Sequence, residues 1–224
     1  MAIYAWPITL RPSNATFWLE ANTLRMESPL SRAAQTLIRP GARWVCRMDF
    51  NRRGHGVAPR LDALVAMLDG GAHEVALFDW RRPVPRGAAA STTTVDTFLA
   101  GDTFTDGGGF VSYASSPVMA SAATRGAETL YTSGWENSAA VLLAGDYVGL
   151  NGRLYMVLED VTSSGAGLAT LRIRPRLHAG AAAGARLTFI RPTTRFRLAA
   201  QGVENPTEAG PLSSYSMTFV ESLP

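Results

Sequence analysis

Lysine is missing from this chain: all 21 of its basic residues are arginines. So complete a replacement reads as a base-composition effect in the genome, but it has a physical consequence. The planar arginine fork makes paired contacts that suit protein interfaces, where lysine offers a point charge. Cysteine is nearly missing too. Cys46 stands alone, which excludes an internal disulfide. It alternates with Trp44, Met48 and Phe50 and reads as a small buried hydrophobe, because a reactive thiol needs a basic, partly exposed setting. The three histidines, His55, His73 and His178, lie far apart and match no metal-ligand spacing. His55, between glycines, and His178, before a small-residue run, read as solvated loop residues; His73 reads as the start of a strand. No apolar run approaches the ~18–20 residues of a membrane helix. Met1-Ala-Ile-Tyr-Ala-Trp-Pro7 lacks the basic start and long apolar stretch of a secretion signal. The expectation is a protein used in a cytoplasm or carried out within an assembly, with no membrane partner.

The motifs of chemistry are missing as well. No Gly-x-Ser-x-Gly elbow, phosphate-binding loop or dinucleotide fingerprint occurs. Gly165-Ala-Gly-Leu-Ala-Thr170 lacks the third glycine and reads as a turn. Asp102 and Asp106, before Gly107–Gly109, do not have EF-hand spacing and read as solvated acids. Asp146 and Glu159-Asp160 sit beside turns, where acids are common. No catalytic, metal-binding or cofactor-binding residue is expected, and a β-built hydrolase is the weakest reading because no nucleophile and base can be named.

The net charge of +3 is too small to argue for nucleic-acid binding. Aromatics interleave with arginine at Trp44–Arg53 and Phe78–Arg82, as in single-strand grips. Core aromatics on one strand face and solvated arginines on the other explain the same residues. The charge is unevenly placed: residues 1–90 carry +5, residues 91–184 carry −3 and residues 185–224 carry +1. The two ends share a sign that the middle opposes.

What is present is a succession of short strands. Residues 2–10, 15–20, 33–39, 42–50 and 73–80 read as strands, the third and fourth pairing around Arg39-Pro40-Gly41. Trp44, Cys46, Met48 and Phe50 take one face and Arg43, Arg47 and Asp49 the other, with Val45 as the exception. Leu61, Leu64, Val65 and Leu68 form one helical stripe, which predicts a helix over roughly 58–69 with Pro59 in its first turn and Gly70-Gly71 at its end. Arg81-Arg82-Pro83-Val84-Pro85-Arg86-Gly87 breaks the sheet, and residues 88–94 have a linker's composition. Seven short strands are expected between 109 and 174, with Asn151-Gly152 as a tight hairpin turn. Ala179-Gly-Ala-Ala-Ala-Gly184 reads as a return linker. Strands follow at 185–190 and 194–200, and Leu212–Glu221 alternates Tyr215, Met217 and Phe219 against Ser214, Ser216 and Thr218. That last strand must pair, and the N-terminal strands are its natural partner.

The expected class is therefore mainly β: a discontinuous β-sandwich with one α-helix, from residues 1–90 and 185–224, carrying an inserted small β-barrel at 91–184. Arg52, Arg53, Arg81, Arg82, Arg172 and Arg174 are candidate interface residues; a solvated strand face fits them equally. Tyr113, Tyr131 and Trp135 are candidate glycan contacts, with core packing as the plain alternative.

Two stretches resemble a known family. Gly145-Asp-Tyr-Val-Gly-Leu-Asn-Gly-Arg-Leu-Tyr-Met-Val157 through Leu168-Ala-Thr-Leu-Arg-Ile-Arg-Pro-Arg-Leu177 is similar to a phrase of tail-tip proteins. The strand–helix–strand run Trp44–Trp80 resembles the N-terminal domain of the distal tail protein of long-tailed phages and gene transfer agents. The resemblance implies a homo-hexameric ring in the virion tail, assembled in a host bacterial cytoplasm. Its partners would be the tail tube protein, the tail-tip hub, and also tape-measure and receptor-binding proteins, with no specific nucleic acid. Inserts in that family are galectin-like or oligonucleotide-fold-like, and no catalytic residues transfer. The competing expectation is a carbohydrate- or receptor-binding module working through the inserted barrel.

Overall fold

The computed structural model describes residues 1–54, 56–95, 110–113, 115–200, 203 and 212–223, with 92–95 and 110–113 as backbone only. The chain begins with β1 (Ile3–Ala5), β2 (Asn14–Glu20), β3 (Thr23–Glu27), β4 (Ala34–Ile38) and β5 (Arg43–Arg53), followed by α1 (Ala58–Leu68) and β6 (Glu74–Leu77). Next come β7 (Thr92–Val95), β8 (Phe110–Tyr113), β9 (Val118–Met119), β10 (Thr129–Ser133) and β11 (Ala140–Leu142). Then follow β12 (Tyr147–Leu150), β13 (Arg153–Val157), β14 (Val161–Thr162), β15 (Ala169–Arg174) and β16 (Leu187–Thr188). β17 (Thr194–Leu198) and β18 (Ser213–Glu221) come last. Among the described residues the fold is mainly β with one α-helix. It divides into two compact units, Met1–Trp80 with Thr193–Pro224, and Arg81–Pro192.

The first unit is built on a six-stranded sheet in the order β1-β6-β17-β18-β5-β2. Its strength lies in alternation on the two longest strands. Trp44, Cys46, Met48 and Phe50 point to one face of β5 and are buried. Across the ladder stand Phe219, Met217 and Tyr215, registered to Cys46, Met48 and Phe50. Leu61, Leu64 and Leu68 of α1 are buried, as their helical stripe requires. The Tyr215 hydroxyl bonds the Ala58 carbonyl oxygen at 3.1 Å and an Asp62 carboxylate oxygen at 3.0 Å, which ties helix to sheet. Each of these leucines contributes about 1.5–3 kcal/mol by leaving water. Val45 is buried on the opposite face, in register with Trp18 and Val220.

One expected pairing is replaced. β4 pairs with β3, and β5 pairs with β2 and β18. Arg39-Pro40-Gly41 does not reverse the chain. The Arg39 N–H bonds the Asn22 carbonyl and the Asn22 amide bonds the Pro40 carbonyl, so both strands pass this point side by side. The reversal comes at Ser28–Ala33, where the Ser28 N–H bonds the Ala33 carbonyl oxygen at 2.9 Å. β3 has no counterpart among the strands read from sequence, while β4, equally exposed along its length, falls within the expected 33–39.

The second unit is built on a six-stranded antiparallel sheet, β16-β12-β13-β15-β10-β9, and also holds the strand pairs β7-β8 and β11-β14. Its two edge strands meet: Val118 bridges Arg186, and the N–H groups of Met119 and Leu187 bond the carbonyls of Ala185 and Pro117 at 2.9 and 3.0 Å. The sheet thus curls almost into a closed barrel. Leu130, Val148, Leu150, Tyr155, Val157, Leu171 and Ile173 fill it. Asn151 and Gly152, at φ +52° and +69°, form the two-residue turn between Leu150 and Arg153 that the sequence predicts.

The unit boundaries fall at 80/81 and 192/193, outside the expected 91 and 184, because the small-residue runs read as linkers pack within the second unit. Ala89 is fully buried in the second core. A Cβ on Gly87 would meet the Val141 carbonyl oxygen at 2.4 Å. Ala181 bridges Ala123 and is buried. Small side chains here serve close backbone approach, which composition cannot distinguish from a linker.

Leu64→Asp would place an unpaired charge in the first core, and no soluble folded protein is expected from it. Leu64→Ala should fold but lose roughly 2–5 kcal/mol in a denaturant titration. A folded Leu64→Asp protein would refute the helix packing.

Candidate interaction surface

The arginine clusters turn out to differ in role. Arg82 donates through Nη1 to the Gly145 carbonyl oxygen at 2.6 Å and lies over the Tyr147 ring at 5.3 Å. Arg86 bonds Asp146 through its backbone N–H at 3.1 Å and its Nε at 3.0 Å, and it also donates to the Ala144 carbonyl. Asp146 is buried and accepts the Leu143 N–H as well, at 2.8 Å. Arg81 has partners of its own. This loop therefore clamps the turn before β12 within its own unit, and Asp146 is the buried centre of that clamp.

In the first unit, Arg53 donates to the Arg11 carbonyl and the Ser13 hydroxyl, both at 2.9 Å, and lies 5.7 Å from the Phe50 ring centroid. Arg52 sits at φ +51° where β5 carries one residue more than β18, since Arg53 faces Ser213 and Phe50 faces Tyr215. This is a β-bulge; the Arg52 N–H bonds the Ser214 hydroxyl at 3.2 Å there, and Arg52 is exposed.

On the barrel, Arg172 pairs with Glu159 at 2.5 Å, Arg174 with Glu128 at 2.8 Å and Arg176 with Glu128 at 2.5 Å. The row is an ion-pair ladder. The Arg174 hydrogen bond, helped by the charges of Arg174, Arg176 and Arg172, holds the Glu128 carboxyl below its ordinary range against a smaller opposing effect of burial.

The three aromatic candidates separate. Trp135 is buried; its indole N–H bonds the Thr132 hydroxyl at 2.7 Å and its ring lies 6.2 Å from Phe189. It is a core residue, folded inward after Gly134, and is not available to a glycan. Tyr131 is exposed, because Leu130 and Thr132 on either side of it point inward. Tyr113 lies on β8, and its side chain is outside the described residues. His178 is buried beside Tyr155, with ring centroids 6.3 Å apart, in place of the solvated position expected. His73 accepts the Ala2 N–H through Nδ1 at 3.3 Å. His55, Asp102 and Asp106 lie outside the described residues.

The surface that sequence reasoning does not assemble is the β3–β4 ribbon, of which it reads only β4, within 33–39, and pairs that with the wrong strand. Every residue from 21 to 40 except Ser28 is exposed. The apolar ones include Met26 at 63%, Leu30 at 97%, Leu37 at 55% and Ile38 at 69%. Leu24 and Leu37 face each other across the ladder. The tip is nonetheless well built: the Arg32 N–H bonds the Ser28 carbonyl at 2.9 Å, and the Ser31 N–H bonds the Ser28 hydroxyl at 3.3 Å. A two-stranded ribbon is marginal by itself, and contiguous apolar exposure marks an interaction site. The alternation of Leu24 with Met26, opposite Leu37, was the available signal.

Among the described residues no group of three or more His, Cys, Asp or Glu side chains is placed to hold a metal ion. No helix among them is long and apolar enough to cross a membrane. No protein-family model matches the chain, and no curated protein matches it in sequence.

Asp146→Ala should leave the part-buried Leu143 N–H and the Arg86 Nε without their acceptor, at about 1 kcal/mol or more, read as a lower denaturation midpoint. For Glu128 the sign follows from its lowered pKa: its contribution is present above the ordinary carboxylate range and is lost as pH falls through the lowered value. Glu128→Gln should lower the midpoint at neutral pH, with the gap to wild type closing in acid. A constant gap would refute the pairing.

Proposed function

We propose that this chain is a structural subunit that works by self-association, as a ring component of a phage-like tail tip joining the tail tube to the tip hub. The observation that carries the reading is the β3–β4 ribbon, an ordered arm whose Met26, Leu30, Leu37 and Ile38 stand in water. Burial of such an arm against a neighbour would remove that apolar surface and complete a ribbon that two strands hold poorly. The sheet from which it extends supplies a rigid base, with β5 paired on both sides by β2 and β18. The six-fold ring and the tail partners come from the family resemblance of the Trp44–Trp80 and Gly145–Leu177 stretches. On this reading the ion-paired barrel is an accessory unit.

Light scattering on purified protein should give one discrete oligomer, and electron micrographs should show rings of six-fold symmetry. A monomer at tens of micromolar would overturn the reading. Leu30→Ser with Leu37→Ser should keep the fold, since surface changes cost within about 0.5 kcal/mol. It should weaken association by at least roughly tenfold, which corresponds to about 1.4 kcal/mol.

A further inference from the structure

The four strands of the first unit with an open side among the described residues are not equivalent. β1 and β2 close the two ends of the six-stranded sheet, while β3 and β4 pair only with each other. Strand edges are protected in soluble proteins by charge, proline or bulges, because an unpaired row of N–H and C=O groups recruits another strand. β2 ends in Glu20, and β3 carries Arg25 and Glu27. β1, Ile-Tyr-Ala, and β4, Ala-Gln-Thr-Leu-Ile, carry no charge and no proline.

The two unprotected edges also carry exposed apolar side chains: Ile3 is 48% exposed on β1, and Leu37 and Ile38 stand exposed on β4. They lie at opposite ends of the sheet's connectivity. β1 is one edge, while the ribbon continues the β2–β5 ladder that forms the other.

We propose that β4 of one copy adds as a strand to the free edge of β1 of the next copy, so that the sheets of successive protomers run on through the ribbon. This rests on the self-association reading above and names its contact. A charged edge offered to either strand would leave an unpaired charge at the junction; a neutral edge meeting a neutral edge does not. Strand addition supplies main-chain hydrogen bonds, and the flanking apolar side chains add burial. Because the two partners are different surfaces, the contact is head-to-tail. Head-to-tail contacts generate a closed ring when the rotation closes.

The sole cysteine makes a clean test feasible, since Cys46 is fully buried and should stay silent under mild oxidation. Three full-length variants are prepared, Ile3→Cys, Leu37→Cys and Ile38→Cys, the last two adjacent on the strand and so covering both faces of β4. Oxidised mixtures of the Ile3→Cys protein with either β4 variant should give a covalent dimer that neither protein gives alone. The double variant Ile3→Cys/Ile38→Cys, or its Leu37→Cys counterpart, should give a ladder ending at the size of the particle. If the protein is oligomeric yet neither mixture cross-links, this contact is wrong while self-association stands. If a β4 variant cross-links alone as well as in the mixture, the ribbons pair with each other and the β1 contact is wrong. A monomeric wild type would remove both readings together.

Discussion

The β5–β18 ladder joins Val45 to Val220 and Phe50 to Tyr215, residues at opposite ends of the chain. Everything in the first unit hangs on it. It places Tyr215 under α1 and sets Phe219 against Cys46 in the core. Its end is fixed by Glu221, whose buried carboxylate accepts the Trp44 N–H at 2.9 Å and the Thr194 hydroxyl at 2.6 Å. One acid thereby ties β18 to β5 and β17 together. Closing so long a loop is tolerable because its entropic cost grows only logarithmically, by about 0.6 kcal/mol per doubling. The fold can therefore carry a whole second unit between β6 and β17 without losing the ladder.

The arginines show how one residue type does different work by neighbourhood. Arg86 spans a buried carboxylate and a turn carbonyl, Arg53 gathers the approach to β2, and Arg172, Arg174 and Arg176 share two acids along a barrel strand. Guanidinium supplies several donors in a rigid fork, so it can staple a loop and satisfy a carboxylate at once. Residue type alone suggested interface residues; within this chain Arg53, Arg82 and Arg86 are spent on local order.

Legibility followed periodicity. The stripe Leu61, Leu64, Leu68 and the alternation from Trp44 to Phe50 each report a buried face, and both elements lie where the sequence placed them. Asn151-Gly152 was readable because few residue pairs tolerate two positive φ angles in succession. Three kinds of feature were not. Small-residue segments such as Ala88–Ala90 and Ala179–Gly184 look alike whether they swing free or pack tightly. Trp135 and Tyr131 have similar composition signals, and only the turn at Gly134 sends one inward. The ribbon has no buried face; its β4 reads as a strand but with the wrong partner, and its β3 is not read at all.

The two-part layout of the first unit also orders events during synthesis. Translation is vectorial, and domains fold as units while the chain emerges. Arg81–Pro192 is contiguous and has all its own strands once Pro192 clears the ribosome. The sheet of the first unit must wait for Ser213–Glu221 to emerge, since β18 is the strand between β17 and β5. Until then β5 keeps one side open, and a finished barrel in mid-sequence precedes the completion of the unit whose two segments come before and after it in the chain.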